Sequence, residues 1–398
     1  MARHVPDSIR FHPLDYAAAL GFVVYAASVT ATPMCLVALS HELGFSIGEG
    51  GLLESMRSIL VILTLLLSGF IAAHFGKARA LGWSTLVIAF AMVIYTATYH
   101  FFPLLLALAL LGIGGGVIEA LLNPLVEELH RGDSGRYLNL LNAFWSVGVL
   151  ISVLVAGELL TQGISWRYFM GGLSLLGLAA GLLFLLLRNR GAPRVRVPMV
   201  DVFAHKTALL QNPLFYGFAA MMFMAGAAEG SIMFWSASFI QLHHGGAPRI
   251  AGFGVASFSI GMILGRLFCG WWIRQHHLRA AILYCAVIGS LVGLALPFVD
   301  RISSVLFVLF LAGLATATFW PSIQAYAVDC MPSSDSTSLF ILLSCGGIAG
   351  FGFASGIIGQ LVEHFGFTTA LLAIPAFFAL LALMVWAKPH NARTSNTP

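Results

Sequence analysis

Charge is what this sequence has least of: twenty Lys and Arg and sixteen Asp and Glu among 398 residues, 9% of the chain. A soluble globular domain carries about a quarter, so an ordinary soluble domain is excluded. Paired cysteine is lacking too. Cys35, Cys269, Cys285, Cys330 and Cys345 form no CxxC unit and have no histidine at ligand spacing, which argues against a zinc site and leaves them as small apolar residues. No GxGxxG or P-loop follows a strand pattern, since GIGGG sits in the middle of an apolar run. No Ser, His and acid group into a hydrolase site. An enzyme is therefore not expected, nor a cofactor, nor a metal. The opening MARHVPDSIRFHPLDY has no apolar core before a small-residue cleavage site, so no cleaved signal peptide is expected.

What the chain has instead is apolar length. Hydrophobic residues make up 59% of it, in recurring runs long enough to cross ~30 Å of hydrocarbon at ~1.5 Å per residue. The runs predict spans near 15–40, 48–74, 79–99, 102–126, 136–161 and 166–188, then 213–241, 249–274, 278–299, 303–328, 336–363 and 367–388. With a cytoplasmic N-terminus, fifteen of the twenty Lys and Arg fall in inside segments, while Arg167, Arg249 and Arg301 fall outside and Arg57 and Arg266 within spans. That asymmetry predicts a multi-pass protein of a cell's inner membrane with both termini in the cytoplasm. Its basic residues then mark a membrane face, and no nucleic-acid partner is expected. The partners expected are the lipid bilayer and a small-molecule substrate, with the chain acting as a monomer.

The basic, Pro-punctuated stretch RNRGAPRVRVPMVDVFAHKTALLQNP divides the chain into an N-terminal six-helix half at 1–188, a cytoplasmic linker at 189–212 and a C-terminal six-helix half at 213–398. An offset of about 201 residues sets Gly69 on Gly270, Gly112 on Gly313 and Leu138 on Leu339. Two pseudo-symmetric halves of six transmembrane helices, in an all-α membrane protein, resemble the major facilitator superfamily. Its loop between the second and third spans has a partial counterpart in GFIAAHFGKAR at 69–79, with Ala73 and His74 where Asp and Arg are usual. GMILGRLFCG at 261–270 is similar to the superfamily's eighth span. The fifth span, VGVLISVLVAGELL, lacks the Gly-Pro ending of the multidrug antiporters.

Only Glu54, Glu119 and Glu229 lie well inside spans. A charged acid at the bilayer centre costs at least ~2.5 kcal/mol, so such a group faces a cavity or partner, or carries a proton. Glu119 follows the small residues of LGIGGG, which let helices approach closely, and precedes Asn123 one turn later on the same face. EALLNP with RYLNLLNAFWSVG resembles the fucose:proton symporter family, in which the acid of that motif is protonatable and linked to substrate; the resemblance implies that role for Glu119. AGAAEGSIMFWSASFI at 225–240 is similar to the same family's seventh span and implies that Glu229 faces the cavity from the other half, near Trp235. The family's acid in the first span is missing here, with Cys35 near its place, and Trp145 stands where the fifth span has a functional Asn.

The other reading of each glutamate is a protonated acid hydrogen-bonded to a neighbouring helix. In GLATATFWPSIQAY the offset puts Trp320 at the position of Glu119 and Gln324 at that of Asn123. An aromatic plate beside a carboxylate and amides suits a polyol, although packing alone would also account for Trp320. The substrate-lining set is thus Tyr25, Asn123, Asn142, Trp145, Trp235, Trp320 and Gln324, with Glu119 and Glu229 coupling protons. Glu54 and Arg57, at i and i+3, and Arg266 form a gating or ion-pair set.

These readings lead to a secondary transporter, with proton-coupled symport of a sugar or similar small polar solute by alternating access. Sodium would use the same acids. The alternatives are an organic-anion carrier or proton-coupled exporter built on the intramembrane arginines, and a receptor that kept the fold without transport.

Overall fold

A computed structural model describes residues 11–130, 134–188, 207–272, 277–332 and 336–387. Among them the regular structure is all helical. The first half holds α1 (Pro13–Leu43), α2 (Ile47–Phe75), α3 (Lys77–Thr96), α4 (Phe101–Leu129), α5 (Ser134–Thr161) and α6 (Trp166–Leu187). The second holds α7 (Pro213–Ser238), which runs into a π-helical turn at Phe239–His243, then α8 (Pro248–Trp272), α9 (Leu278–Ala295), α10 (Ile302–Thr316), α11 (Phe319–Cys330), α12 (Ser336–Leu371) and α13 (Ala373–Ala387). Most of the expected linker, 189–206, lies outside the described residues.

Local chemistry starts these helices where the sequence places polar residues. His12 and Asp15 close a capping box around Pro13, and Ser46 and Glu49 do the same for α2. Asn212 caps α7 ahead of Pro213, so the first spans of the two halves begin alike. Their lengths agree as well: Pro13–Leu43 and Pro213–His243 are both 31 residues, and Phe101–Leu129 and Ile302–Cys330 are both 29.

Two spans differ from the sequence expectation. The tenth, read as one run over 303–328, is broken at Ala317 and Thr318 between α10 and α11. Pro321 explains the break, because it has no N–H for the Ala317 carbonyl and its ring crowds that group. The eleventh and twelfth are separated by one residue, Gly366, at φ 77° and ψ 170°. The twelfth is then interrupted again at Leu372, ahead of Pro375, so that α13 is only 15 residues long. Among the described residues eleven spans are long and apolar enough to cross a membrane, with α7 and its π turn, and α10 and α11, each counted as one span; α13 is a shorter apolar helix.

The halves meet through α2 against α12, α5 against α8, and α1 against α7 and α8. Polar contacts between them are found toward the end bearing the α1–α2 and α7–α8 connections. Ser46 Oγ donates to Glu363 at 2.8 Å and Ser55 Oγ to the Gly352 carbonyl at 2.6 Å. Arg249 holds Glu158 at 2.5 and 2.7 Å, and its backbone N–H donates to Thr161 Oγ1 at 2.8 Å. At the opposite end three polar contacts join helices within a half: Lys77 with Glu128 at 2.6 Å, His130 with Asp15 at 2.8 Å, and Arg279 with the Trp386 carbonyl at 2.9 Å. The molecule is closed at one end.

Candidate functional site

The glycines before Glu119 determine where that acid stands. A Cβ on Gly112 would lie 2.7 Å from the Arg57 carbonyl, and one on Gly116 would lie 2.9 Å from Thr64 Cβ, so α4 presses against α2. Glu119 is thereby placed just past the stretch Ser46–Ser58 that meets α12, beneath the closed end. Gly115 makes room for the Tyr25 ring, whose Cε2 would be 2.6 Å from a Cβ there. The Tyr25 hydroxyl is near enough to interact with both the Glu119 carboxyl and the Arg57 guanidinium.

Arg57 is already paired. Its Nε lies 2.9 and 3.1 Å from the Glu54 oxygens, and its Nη2 contacts Glu54 as well. The side chains are 7% and 1% exposed. One charge of each sign cancels inside α2, and the Glu119 carboxyl, the other acid well inside a span of this half, has no ion pair of its own among the described residues.

The rest of the wall gathers around it. Trp145 on α5 meets Tyr25 edge-on at 5.1 Å between ring centroids and Phe22 at 5.8 Å. Asn142, one turn earlier on α5, donates to the Leu138 carbonyl at 2.8 Å and reaches Asn123 Oδ1 at 3.5 Å. The structure therefore brings together Tyr25 of α1, Glu119 and Asn123 of α4, and Asn142 and Trp145 of α5. Asn142 is exposed, while Glu119, Asn123 and Trp145 are half-buried.

The second half has its own constellation. Glu229 on α7, Arg266 on α8 and Trp320 at the start of α11 converge, with Glu229 interacting with both of the others. None of Glu229 Oε2, Arg266 Nε and Trp320 Nε1 has a hydrogen-bond partner although each atom is buried. Gly347 on α12 leaves room for the Trp320 ring, whose Cζ2 would be 2.8 Å from a Cβ there. Gln324, one turn after Trp320, donates to Ser344 Oγ at 3.2 Å. The halves use the same parts with exchanged places: the acid is on α4 and the aromatic on α1 in one, the acid on α7 and the aromatic on α11 in the other.

Trp235 is found elsewhere. It is 0% exposed, its indole donates to the Ser355 carbonyl at 3.2 Å, and its ring packs under Gly51 of α2. Sequence alone paired it with Glu229, but six residues along a helix separate the two by ~9 Å, which carries Trp235 into the closed end.

Sequence reasoning missed two features. Thr30 and Ser152 hydrogen-bond at 2.7 Å across α1 and α5, fully inside. Each hydroxyl is also within reach of a carbonyl of its own helix, Thr30 of Ala26 and Ser152 of Val149, so one donates there while the other donates across; the local bond is how such residues ordinarily satisfy themselves and why they carry no signal. The second is the Glu158–Arg249 bridge between halves. Oppositely charged residues at two span ends were visible, but not their pairing.

A two-lobed bundle of apolar spans around polar walls beneath a closed end defines a membrane carrier. The Major Facilitator Superfamily profile matches residues 17–248 and 218–398, and the chain belongs to that superfamily. Membrane protein MosC of Rhizobium meliloti is 25% identical over 365 residues, 90% of this chain and 85% of that protein. An uncharacterised MFS-type transporter of Yersinia pestis is 24% identical over 396 residues, 94% of each. Among solved structures, a point mutant of nucleoside transporter NupG superposes with a TM-score of 0.79 at 15% identity, covering 94% of this chain and 98% of that one. A bacterial homologue of the human lysosomal transporter Spinster, inward-facing and occupied, gives 0.76 at 15% identity over 94% and 95%. A D-xylose–proton symporter gives 0.75 at 15% identity over 94% and 97%. At such identity these structures show a shared fold.

Proposed function

We propose that the protein is a secondary transporter that carries a small polar solute together with protons, with Glu119 as the coupling carboxylate. The observation that carries this is the charge arrangement around Arg57. Because Glu54 already neutralises the arginine, the Glu119 carboxyl has no cation to itself in an apolar interior where a bare charge costs at least ~2.5 kcal/mol. A proton removes that cost; release restores the charge. The same carboxylate would take sodium. The resemblance of EALLNP to the fucose:proton symporters supports the assignment, as does the likeness in fold to a D-xylose–proton symporter.

In this reading the closed end faces outside, both termini lie in the cytoplasm of an inner-membrane protein, and the chain works as a monomer. Solute enters between Asn123, Asn142 and Trp145 on one wall and Trp320 and Gln324 on the other. The membrane supplies enough work: ~100 mV is ~2.3 kcal/mol per charge, which supports roughly 50-fold accumulation. An organic-anion carrier would need the two interior arginines free, and Arg57 is closed onto Glu54.

Proteoliposomes with an imposed pH gradient test this against a panel of radiolabelled sugars and nucleosides. Wild-type protein should accumulate its solute only with the gradient. Glu119→Gln should lose gradient-driven accumulation and keep solute exchange. Gradient-driven accumulation undiminished in Glu119→Gln would reject the assignment.

A further inference from the structure

We propose that Glu229, Arg266 and Trp320 form a subsite for the hydroxyl groups of an uncharged solute, such as a sugar or the ribose of a nucleoside, and that they take no part in proton coupling. This rests on the reading of the protein as a carrier of polar solutes and names the chemistry of that solute. Three helices, α7, α8 and α11, each deliver one buried polar atom to the same place, and all three atoms are unmet: Glu229 Oε2, Arg266 Nε and Trp320 Nε1. A buried polar group without a partner costs about 1–3 kcal/mol, so three together mark a place shaped for something else.

The contrast with the other half sharpens the point. Glu54 and Arg57 are the same pair of residue types, one turn apart on one helix, and they close onto each other in several hydrogen bonds. Glu229 and Arg266 sit on different helices, and Glu229 faces both Arg266 and Trp320, yet no hydrogen bond is closed at Glu229 Oε2, Arg266 Nε or Trp320 Nε1. Their charges cancel: one acid and one guanidinium leave no net charge for an ionic solute to balance. A solute carboxylate or phosphate would meet Glu229 as a repelling neighbour, and an ammonium would meet Arg266 in the same way.

What remains is a set of one acceptor and two donors. A hydroxyl both donates and accepts. One hydroxyl of a diol can donate to Glu229 Oε2 while it or its neighbour accepts from Arg266 Nε–H and Trp320 Nε1–H. The Trp320 ring, seated against Gly347, gives the C–H face of the solute a flat surface on the same residue. Gln324, one turn further along α11 and bonded to Ser344, is placed to contact a second hydroxyl.

Binding, rather than transport, tests the subsite. Purified protein at one fixed pH is titrated calorimetrically with D-xylose, D-glucose, mannitol and uridine, then with glucuronate and glucosamine as charged counterparts. At least one neutral probe should bind, and the charged counterparts about tenfold or more weaker. Trp320→Phe keeps the ring and removes only the N–H; it should weaken binding roughly five- to tenfold, as for one lost hydrogen bond. Glu229→Gln and Arg266→Gln should each weaken it at least as much, and Arg266→Lys, which keeps the charge, guards against a folding defect in the glutamine variant.

Tighter binding of a charged probe, unchanged affinity in both Trp320→Phe and Glu229→Gln, or binding of none of the neutral probes would overturn the proposal. The coupling role of Glu119 stands or falls separately. Neutral solutes held by these three residues but carried without a pH gradient would remove the coupling and leave the subsite, and pH-driven uptake that ignores Trp320→Phe would do the reverse.

Discussion

Arg57 lies one helical turn from Glu54 and is closed onto it, with its Nε 2.9 and 3.1 Å from the two carboxylate oxygens, inside the protein and away from either end of α2. Removing one partner strands the other as a buried charge. Glu54→Gln should therefore destabilise the protein by about 3–5 kcal/mol. The double variant Glu54→Gln with Arg57→Gln should regain a substantial part of that loss. Unfolding midpoints of the two single variants and the double variant in one detergent measure the coupling; additive losses would show the pair is not a unit.

Arg249 and Glu158 join the halves across α5 and α8, but their side chains are 46% and 40% exposed. Such a bridge contributes only about 0–1 kcal/mol, enough to bias two states of similar energy without locking one. Arg249→Glu should open the closed end and the exchange Arg249→Glu with Glu158→Arg should close it again. Spin labels at Gln162→Cys and Ala247→Cys, in a background free of native cysteine, would report a longer distance in the first and recovery in the second.

Tyr25 occupies the space that Gly115 leaves, with its ring 2.6 Å from where a Cβ would begin. Gly115→Ala should force the ring aside and cost about 1–3 kcal/mol as overpacking. Tyr25→Ala in the same chain should relieve most of it. Thermal midpoints of Gly115→Ala alone and combined with Tyr25→Ala decide, since an unrelieved loss would place the strain elsewhere.

His244 follows the π turn that ends the seventh span, outside the membrane-spanning segments. Burial and the neighbouring His243 hold its imidazole below the ordinary value near 6.5, only partly offset by Asp300. The unfolded chain therefore takes up the proton first as pH falls. Stability is present above pH ~6.5 and declines below it. His244→Gln should flatten that part of the profile, read as unfolding midpoint between pH 7.5 and 5; a profile that falls equally in the variant would assign the acid sensitivity to other groups.

Much of this molecule is legible in the chain. Spans follow from apolar length because hydrocarbon offers the backbone no partner but itself. The halves follow from an offset that the helices reproduce, with 31-residue first spans in both. Glu119 stands out because an acid amid Gly, Leu and Ile needs a reason. Breaks were harder to see: Pro124 sits within α4 without ending it, while Pro321 and Gly366 interrupt their helices. Pro124 and Pro321 each remove one hydrogen bond, and whether the helix continues or stops depends on the neighbours that take up the freed carbonyl, whereas Gly366 breaks its helix through a positive φ.

The sequence by itself thus determined the membrane class, the two halves and which polar residues are costly enough to matter, since transfer from water to hydrocarbon is a property of each residue. Tertiary structure decided what those residues face. Trp235 and Trp320 are alike in composition terms, yet one is sealed at the junction of the halves and the other presents an unmet N–H to Glu229. The reason is that pairing is a matter of distance between helices remote in the chain, and no local pattern encodes which donor finds an acceptor and which is left open.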